Sequence, residues 1–218
     1  MTRALTFYRT SLGKKVVMAI TGLILFGFVV GHVLGNLQVF VGADQMNAYA
    51  ALLRANAGLL WGVRLMLLIA VALHIVASVQ LTRMSQRSRP EGYHYKDVIQ
   101  ADYASRTMRW SGPIIAVFVV YHLLHFTAGT VHPNFDVHNV YGNVVLGFRV
   151  WPVSAFYILA MVGLGFHLWH GIWSMFQTLG LNNRKSTTII HKLAAIATLA
   201  IIVGFISIPL AVLAGIVS

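Results

Sequence analysis

The chain has 218 residues, 58% of them hydrophobic and only 10% charged, with 16 Lys and Arg against 5 Asp and Glu and a formal net charge of +11. A soluble domain carries about 25% charged residues, so this composition is that of a membrane protein. No Cys occurs, which excludes disulfides, cysteine-ligated iron–sulfur clusters and covalent C-x-x-C-H haem attachment.

Five apolar runs are long enough for a bilayer, which needs about 20 residues: 16–39, 59–81, 110–130, 153–178 and 193–217. Lys14 and Lys15 precede the first run as they would in a signal peptide. That run exceeds the about 7–15 residues of such a segment, and no clear small-residue cleavage site follows, so it is read as a retained helix. The expected fold is a single all-α membrane domain of five transmembrane helices, the first four forming an up-down-up-down bundle.

Thirteen of the 16 basic residues flank one side: Arg3, Arg9, Lys14 and Lys15, then Arg83, Arg87, Arg89, Lys96, Arg106 and Arg109, then Arg184, Lys185 and Lys192. Only Arg54, Arg64 and Arg149 flank the other. The positive-inside bias predicts a multi-pass protein of the cytoplasmic membrane with its N-terminus inside and its C-terminus outside. Because the basic residues mark orientation, no nucleic-acid partner is expected. The acidic residues Asp44, Glu91, Asp97, Asp102 and Asp136 are all assigned to loops, which leaves no intramembrane carboxylate relay and counts against a transporter. The cytoplasmic segment 83–109, with Tyr93, Tyr95 and Tyr103, reads equally as a solvated loop or as a docking surface. The segment 131–152 is expected to be an outer loop.

Histidines recur inside the apolar runs. His32 lies in FVVGHVLGN and His74 in AVALHIVAS, with Ala70, Ala77 and Ser78 on its face. The third run offers His122 and His125, the fourth His167 and His170. Intramembrane imidazoles are costly and call for a function. One in each of four successive helices points to a metal or haem site. Gly163 and Gly171 stand one turn before and after His167 and leave a flat slot for a planar macrocycle. His170 has Phe166 and Ser174 at those places, so His167 is the favoured ligand of its doublet. His125 has Gly129 one turn on, and local physics does not separate it from His122. A structural or propionate-binding role is assigned to His170 and preferred for His125. Gly27, Gly31 and Gly35 make a stripe beside His32, read as close helix packing.

At 1.5 Å per residue, His32 lies about 24 Å and His122 about 18 Å from the cytoplasmic ends of their helices, against about 12–16 Å for His74 and His167. In a four-helix bundle helices one and three are diagonal, as are two and four, at about 14 Å. Two imidazoles on one iron, with metal–nitrogen bonds near 2 Å, span about that gap. His32 with the third-helix ligand then forms an outer site, and His74 with His167 an inner one.

These residues resemble a known family, the single-polypeptide di-haem cytochrome b anchors of succinate:quinone oxidoreductases and quinol:fumarate reductases. The resemblance runs through SLGKKVVMAITG, LHIVAS, SGPIIAVFVVYH and FHLWHGIWSMFQTLG. It implies haem ligation by His32, His74, His122 and His167, choosing His122 over His125, with the same diagonal pairing of two haem b groups. It also implies electron transfer between a separate flavoprotein and iron–sulfur pair on the cytoplasmic face and a quinone, menaquinone or ubiquinone, in the membrane. Some members carry a helix-five carboxylate for proton movement, which this chain lacks.

A quinone needs hydrogen-bond donors near a haem edge. Asn36, Gln38, Asp44, Arg54, Trp61 and Arg64 could supply them outside, and Ser11, Arg106, Trp110, His191 and Lys192 inside. Of these, Asn36, Arg54, Trp61 and Arg64 are the favoured set. Two other readings stand beside this one: a di-haem cytochrome b of a hydrogenase or formate dehydrogenase, and a non-redox protein with zinc-binding or proton-conducting histidines.

Overall fold

A computed structural model describes residues 3–88 and 103–218. Arg89, Glu91, Tyr93, Tyr95, Lys96, Asp97 and Asp102, and with them most of the expected docking segment, lie outside the described residues. Among the described residues every regular element is a helix: α1 (Arg3–Arg9), α2 (Ser11–Asn36), a 3₁₀ turn (Leu37–Phe40), α3 (Ala43–Arg54), α4 (Ala57–Arg87), α5 (Tyr103–Phe126), α6 (Val140–Arg149), α7 (Trp151–Thr178) and α8 (Thr187–Leu213). Among these residues four stretches are long and apolar enough to cross a membrane: Ser11–Phe40, α4, α7 and α8. The apolar part of α5, Trp110–Phe126, is shorter, but the whole helix has 24 residues and so spans about 36 Å.

α2, α4 and α6 start at side-chain caps. Thr10 Oγ1 accepts from the Gly13 amide at 2.9 Å, Asn56 Oδ1 from Leu59 at 2.9 Å and Asn139 Oδ1 from Gly142 at 2.9 Å. At the end of α1, the Lys14 ammonium donates to the carbonyls of Tyr8 and Arg9 at 2.9 and 3.0 Å. A residue that reads as a flanking charge thus also satisfies the open end of a helix. Two helices stop before the apolar run does. Gly129 and Gly215 adopt φ +73 and +72, so α5 ends at Phe126 and α8 at Leu213. Other helices run past their apolar stretch into polar flanks, because hydropathy measures bilayer thickness and not helix length.

Two short helices occupy segments expected to be loops: α3 between the first two spans, and α6 within 131–152. Asp44 accordingly lies in the first turn of α3, where a carboxylate favours the helix dipole.

α2 packs along α4 and α7, while α7 packs along α5 and α8. α4 and α5, although consecutive, scarcely touch. The long helices thus form a four-helix ring open at one edge, with α8 laid against its α7 side. Close approach depends on small residues, as is usual in lipid. A Cβ on Gly204 would come 2.8 Å from Val33 Cγ2, and one on Gly165 3.3 Å from Ile202 Cγ1. Large apolar side chains such as Leu68, Val117, Ile196 and Leu199 are exposed on the outside of the ring, where the solvent they suit is hydrocarbon.

α3 and α6 pack on each other and close one end of the bundle. Val39, Met46, Val144, Phe148, Ala211 and Val212 form a buried core there, continuous with Phe118 and Tyr157. Asn143 of α6 stitches the preceding loop in place, its Nδ2 donating to the Asp136 carbonyl at 2.6 Å and its Oδ1 accepting from the Asp136 amide at 2.9 Å.

Candidate functional site

Four spans each contribute one histidine to a cross-bundle pair. His32 of α2 faces His122 of α5, ring centroids 5.7 Å apart and planes at 83°. His74 of α4 faces His167 of α7 at 6.2 Å and 56°. Both pairs link helices that lie across the ring from each other. On α2, Thr21, which contacts His74, precedes His32 by eleven residues, which separates the two levels by about 16 Å.

The nitrogens of these rings are not equivalent. Thr21 Oγ1 lies 2.8 Å from the Val17 carbonyl and 3.1 Å from that of Met18, and 3.0 Å from His74 Nδ1. Its single proton goes to a backbone carbonyl, so it accepts from His74 Nδ1–H. His74 Nε2 is then the nitrogen left with a lone pair. Ser111 Oγ lies 3.4 Å from His167 Nδ1, and the Tyr157 hydroxyl 3.3 Å from His122 Nδ1. At His32 the neighbour is an amide: Asn36 Nδ2 donates to the His32 carbonyl at 2.7 Å and lies 3.3 Å from its Nδ1. At His74, His167 and His122 the neighbour of Nδ1 is a hydroxyl oxygen able to accept an N–H, the arrangement that orients metal-binding imidazoles; at His32 the Asn36 NH2 group can only donate.

Spacing and space both suit a planar metal cofactor. Metal–nitrogen bonds near 2 Å put two imidazoles that share a metal at a centroid separation of about 6 Å, close to both observed values. Beside the rings, a Cβ added to Gly27, Gly31 or Gly171 would meet no neighbouring atom within 4 Å among the described residues. The close packing expected of the Gly27, Gly31 and Gly35 stripe is therefore seen only at Gly35, where the Tyr49 ring stands 2.8 Å from the Cβ position. No cluster of three or more His, Cys, Asp or Glu suited to a metal ion occurs among the described residues; each of the two pairs brings two imidazoles together.

His125 has different surroundings. It is 1% exposed, with its ring 4.1 Å from Phe126 and 5.0 Å from His132. A Cβ on Gly147 of α6 would come 2.9 Å from its Cε1, so it is walled in by the end cap. Gly129 lies beyond the end of α5, with Phe135 2.3 Å from its Cβ position; it stops the helix and makes no slot beside His125.

The favoured quinone residues have separate partners. Trp61 and Arg64 stand together on α4, the guanidinium 5.0 Å from the ring centroid. Asn36 is bound to His32, and Arg54 donates to the Val137 carbonyl. Near the opposite end of the bundle, the His191 ring of α8 lies tilted against Trp173 of α7 with centroids 3.9 Å apart, while Trp110 is 74% exposed.

Thr21, Ser111 and Tyr157 are absent from the sequence-based candidates. The available signal was a hydroxyl within an apolar run, since a polar group in lipid seeks a partner.

Residues 95–206, half of the chain, match the protein family described as succinate dehydrogenase/fumarate reductase transmembrane subunit. No curated protein and no solved structure matches. The matched stretch contains His122 and His167, while His32 and His74 precede it.

Proposed function

The chain belongs to the succinate dehydrogenase/fumarate reductase transmembrane subunit family, and we propose that it is the membrane anchor and di-haem electron-transfer subunit of such a complex. In this reading His32 with His122, and His74 with His167, each hold one haem b through Nε2. Haem between two imidazoles supplies a reversible one-electron carrier with no free coordination position. Thr21, Ser111 and Tyr157 orient His74, His167 and His122, and the apolar helix faces keep water from the rings.

What carries this reading is the pairing itself. Two imidazole pairs at 5.7 and 6.2 Å, about 16 Å apart along the bundle, suit a wire across a membrane. A flavoprotein and an iron–sulfur subunit, both separate chains, are the partners proposed for the cytoplasmic face, at the end bearing Lys14, Lys15, Arg184 and Lys185. Their positive-inside bias supports that orientation. A membrane quinone is proposed near the other end, with Trp61 and Arg64 as the donors that stand together and Asn36 and Arg54 nearby in sequence reach of the same cap.

The test is succinate-driven reduction of b-type absorbance in membranes containing the assembled complex. Reduction that requires the two soluble subunits is the expected result. Absorbance that responds to dithionite but never to succinate, or to quinol in the reverse direction, contradicts it.

A further inference from the structure

Tyr157 stands where the two third-span histidines meet. Its ring is 6% exposed and is held edge-on by Phe118 and Phe148, both with centroids at 5.0 Å. Ring packing, independently of any hydrogen bond, therefore sets the place of its hydroxyl. That oxygen lies 3.3 Å from His122 Nδ1 and 3.1 Å from His125 Nδ1. One hydroxyl has one proton to give, so it donates to one ring and accepts from the other.

We propose that Tyr157 and His125 are positioning residues for His122, forming an ordered relay from His122 Nδ1–H to the Tyr157 oxygen and from the Tyr157 hydroxyl to His125 Nδ1. The relay rests on the haem reading above. A neutral imidazole bound through Nε2 keeps its proton on Nδ1, and that sets the direction of both hydrogen bonds. His125 cannot turn away, because α6 approaches it at Gly147 and the His132 ring lies tilted against it at 5.0 Å. His132 is itself fixed, its Nε2–H donating to the Asn143 carbonyl at 2.8 Å and its Nδ1 accepting from the Asn134 amide at 3.1 Å. Accepting from Nδ1–H makes His122 a stronger donor to iron, and passing the hydroxyl proton on to a second acceptor makes the oxygen a better acceptor. The relay thus lowers the reduction potential at the His32–His122 level. It also gives His125 a role that is neither ligation nor bare packing.

The experiment is a spectroelectrochemical titration of the purified complex carrying Tyr157→Phe, with haem counted per chain. Two haems are expected, with one midpoint potential raised and the other as in the wild type; the raised component is the one missing from His122→Ala. His125→Leu should raise the same component by less, and it decides the matter alone if Tyr157→Phe does not assemble. Two unshifted potentials with both haems bound would overturn the relay, as would an equal shift or loss of both haems. A wild-type chain that binds no haem overturns the function proposed above and the relay with it, and that result is distinct from two bound haems whose potentials fail to move.

Discussion

The two histidine levels use the same side chains in very different settings. At the His74–His167 level each ring has a hydroxyl neighbour on its own nitrogen, Thr21 or Ser111. The His32–His122 level lies under a polar cap in which Tyr157, His125, His132, Asn143 and the α6 backbone are joined by direct contacts. A membrane bundle can thus build two chemically alike sites and distinguish them through what stands behind the imidazoles. If both hold haem, the capped level has more ways to be tuned and more ways to be broken.

The largest effect expected is on occupancy. His74→Ala and His167→Ala should each lower haem content from two per chain to one and remove the same spectral component, while His32→Ala and His122→Ala remove the other. Loss of different components within either pair would break the comparison outright. Gly171→Leu should also lose the component shared by His74 and His167. A Cβ there has no neighbour within 4 Å among the described residues, so any fall in melting temperature should be no larger than that of His167→Ala, which loses the same bound group. Retention of both haems in that variant would mean the open space is not the cofactor's.

Smaller effects separate the levels by stability and tuning. Gly147→Ala drives a Cβ to 2.9 Å from His125 Cε1 and 3.2 Å from His132 Nε2. Overpacking of this kind costs about 1–3 kcal/mol, and here it should disturb the His32–His122 component while leaving the other unchanged. Thr21→Val removes the acceptor for His74 Nδ1–H and should cost about 1 kcal/mol, read as a lower thermal midpoint with a shift confined to the His74–His167 component. Equal disturbance of both components by either variant would show that the levels are coupled and not separately built.

Much of this architecture was legible before the fold was known. Apolar runs marked the spans because nothing else in a bilayer satisfies so many consecutive nonpolar side chains. The diagonal pairing followed from helix order and from depths at 1.5 Å per residue. Boundaries were less legible, since Gly129 and Gly215 end helices inside apolar runs and Ser11 and Thr187 begin them in polar flanks. α3 and α6 escaped notice because a helix of 12 or 10 residues with one polar face has no long hydropathy signal. Local spacing left His122 and His125 even, because the difference between them lies in α6, a separate helix whose Gly147 comes against His125. Tyr157 was silent for a related reason: nothing in its own helix reveals that its hydroxyl reaches two rings of another.

The measurement that tests the central claim most directly is a reduced-minus-oxidised spectrum of the purified complex with haem quantified per polypeptide. Two b-type haems per chain, with the low-spin signature of bis-imidazole ligation, is the predicted result. A well-folded chain with one haem or none would contradict the two-level account and return the four paired histidines to structural or proton-handling roles.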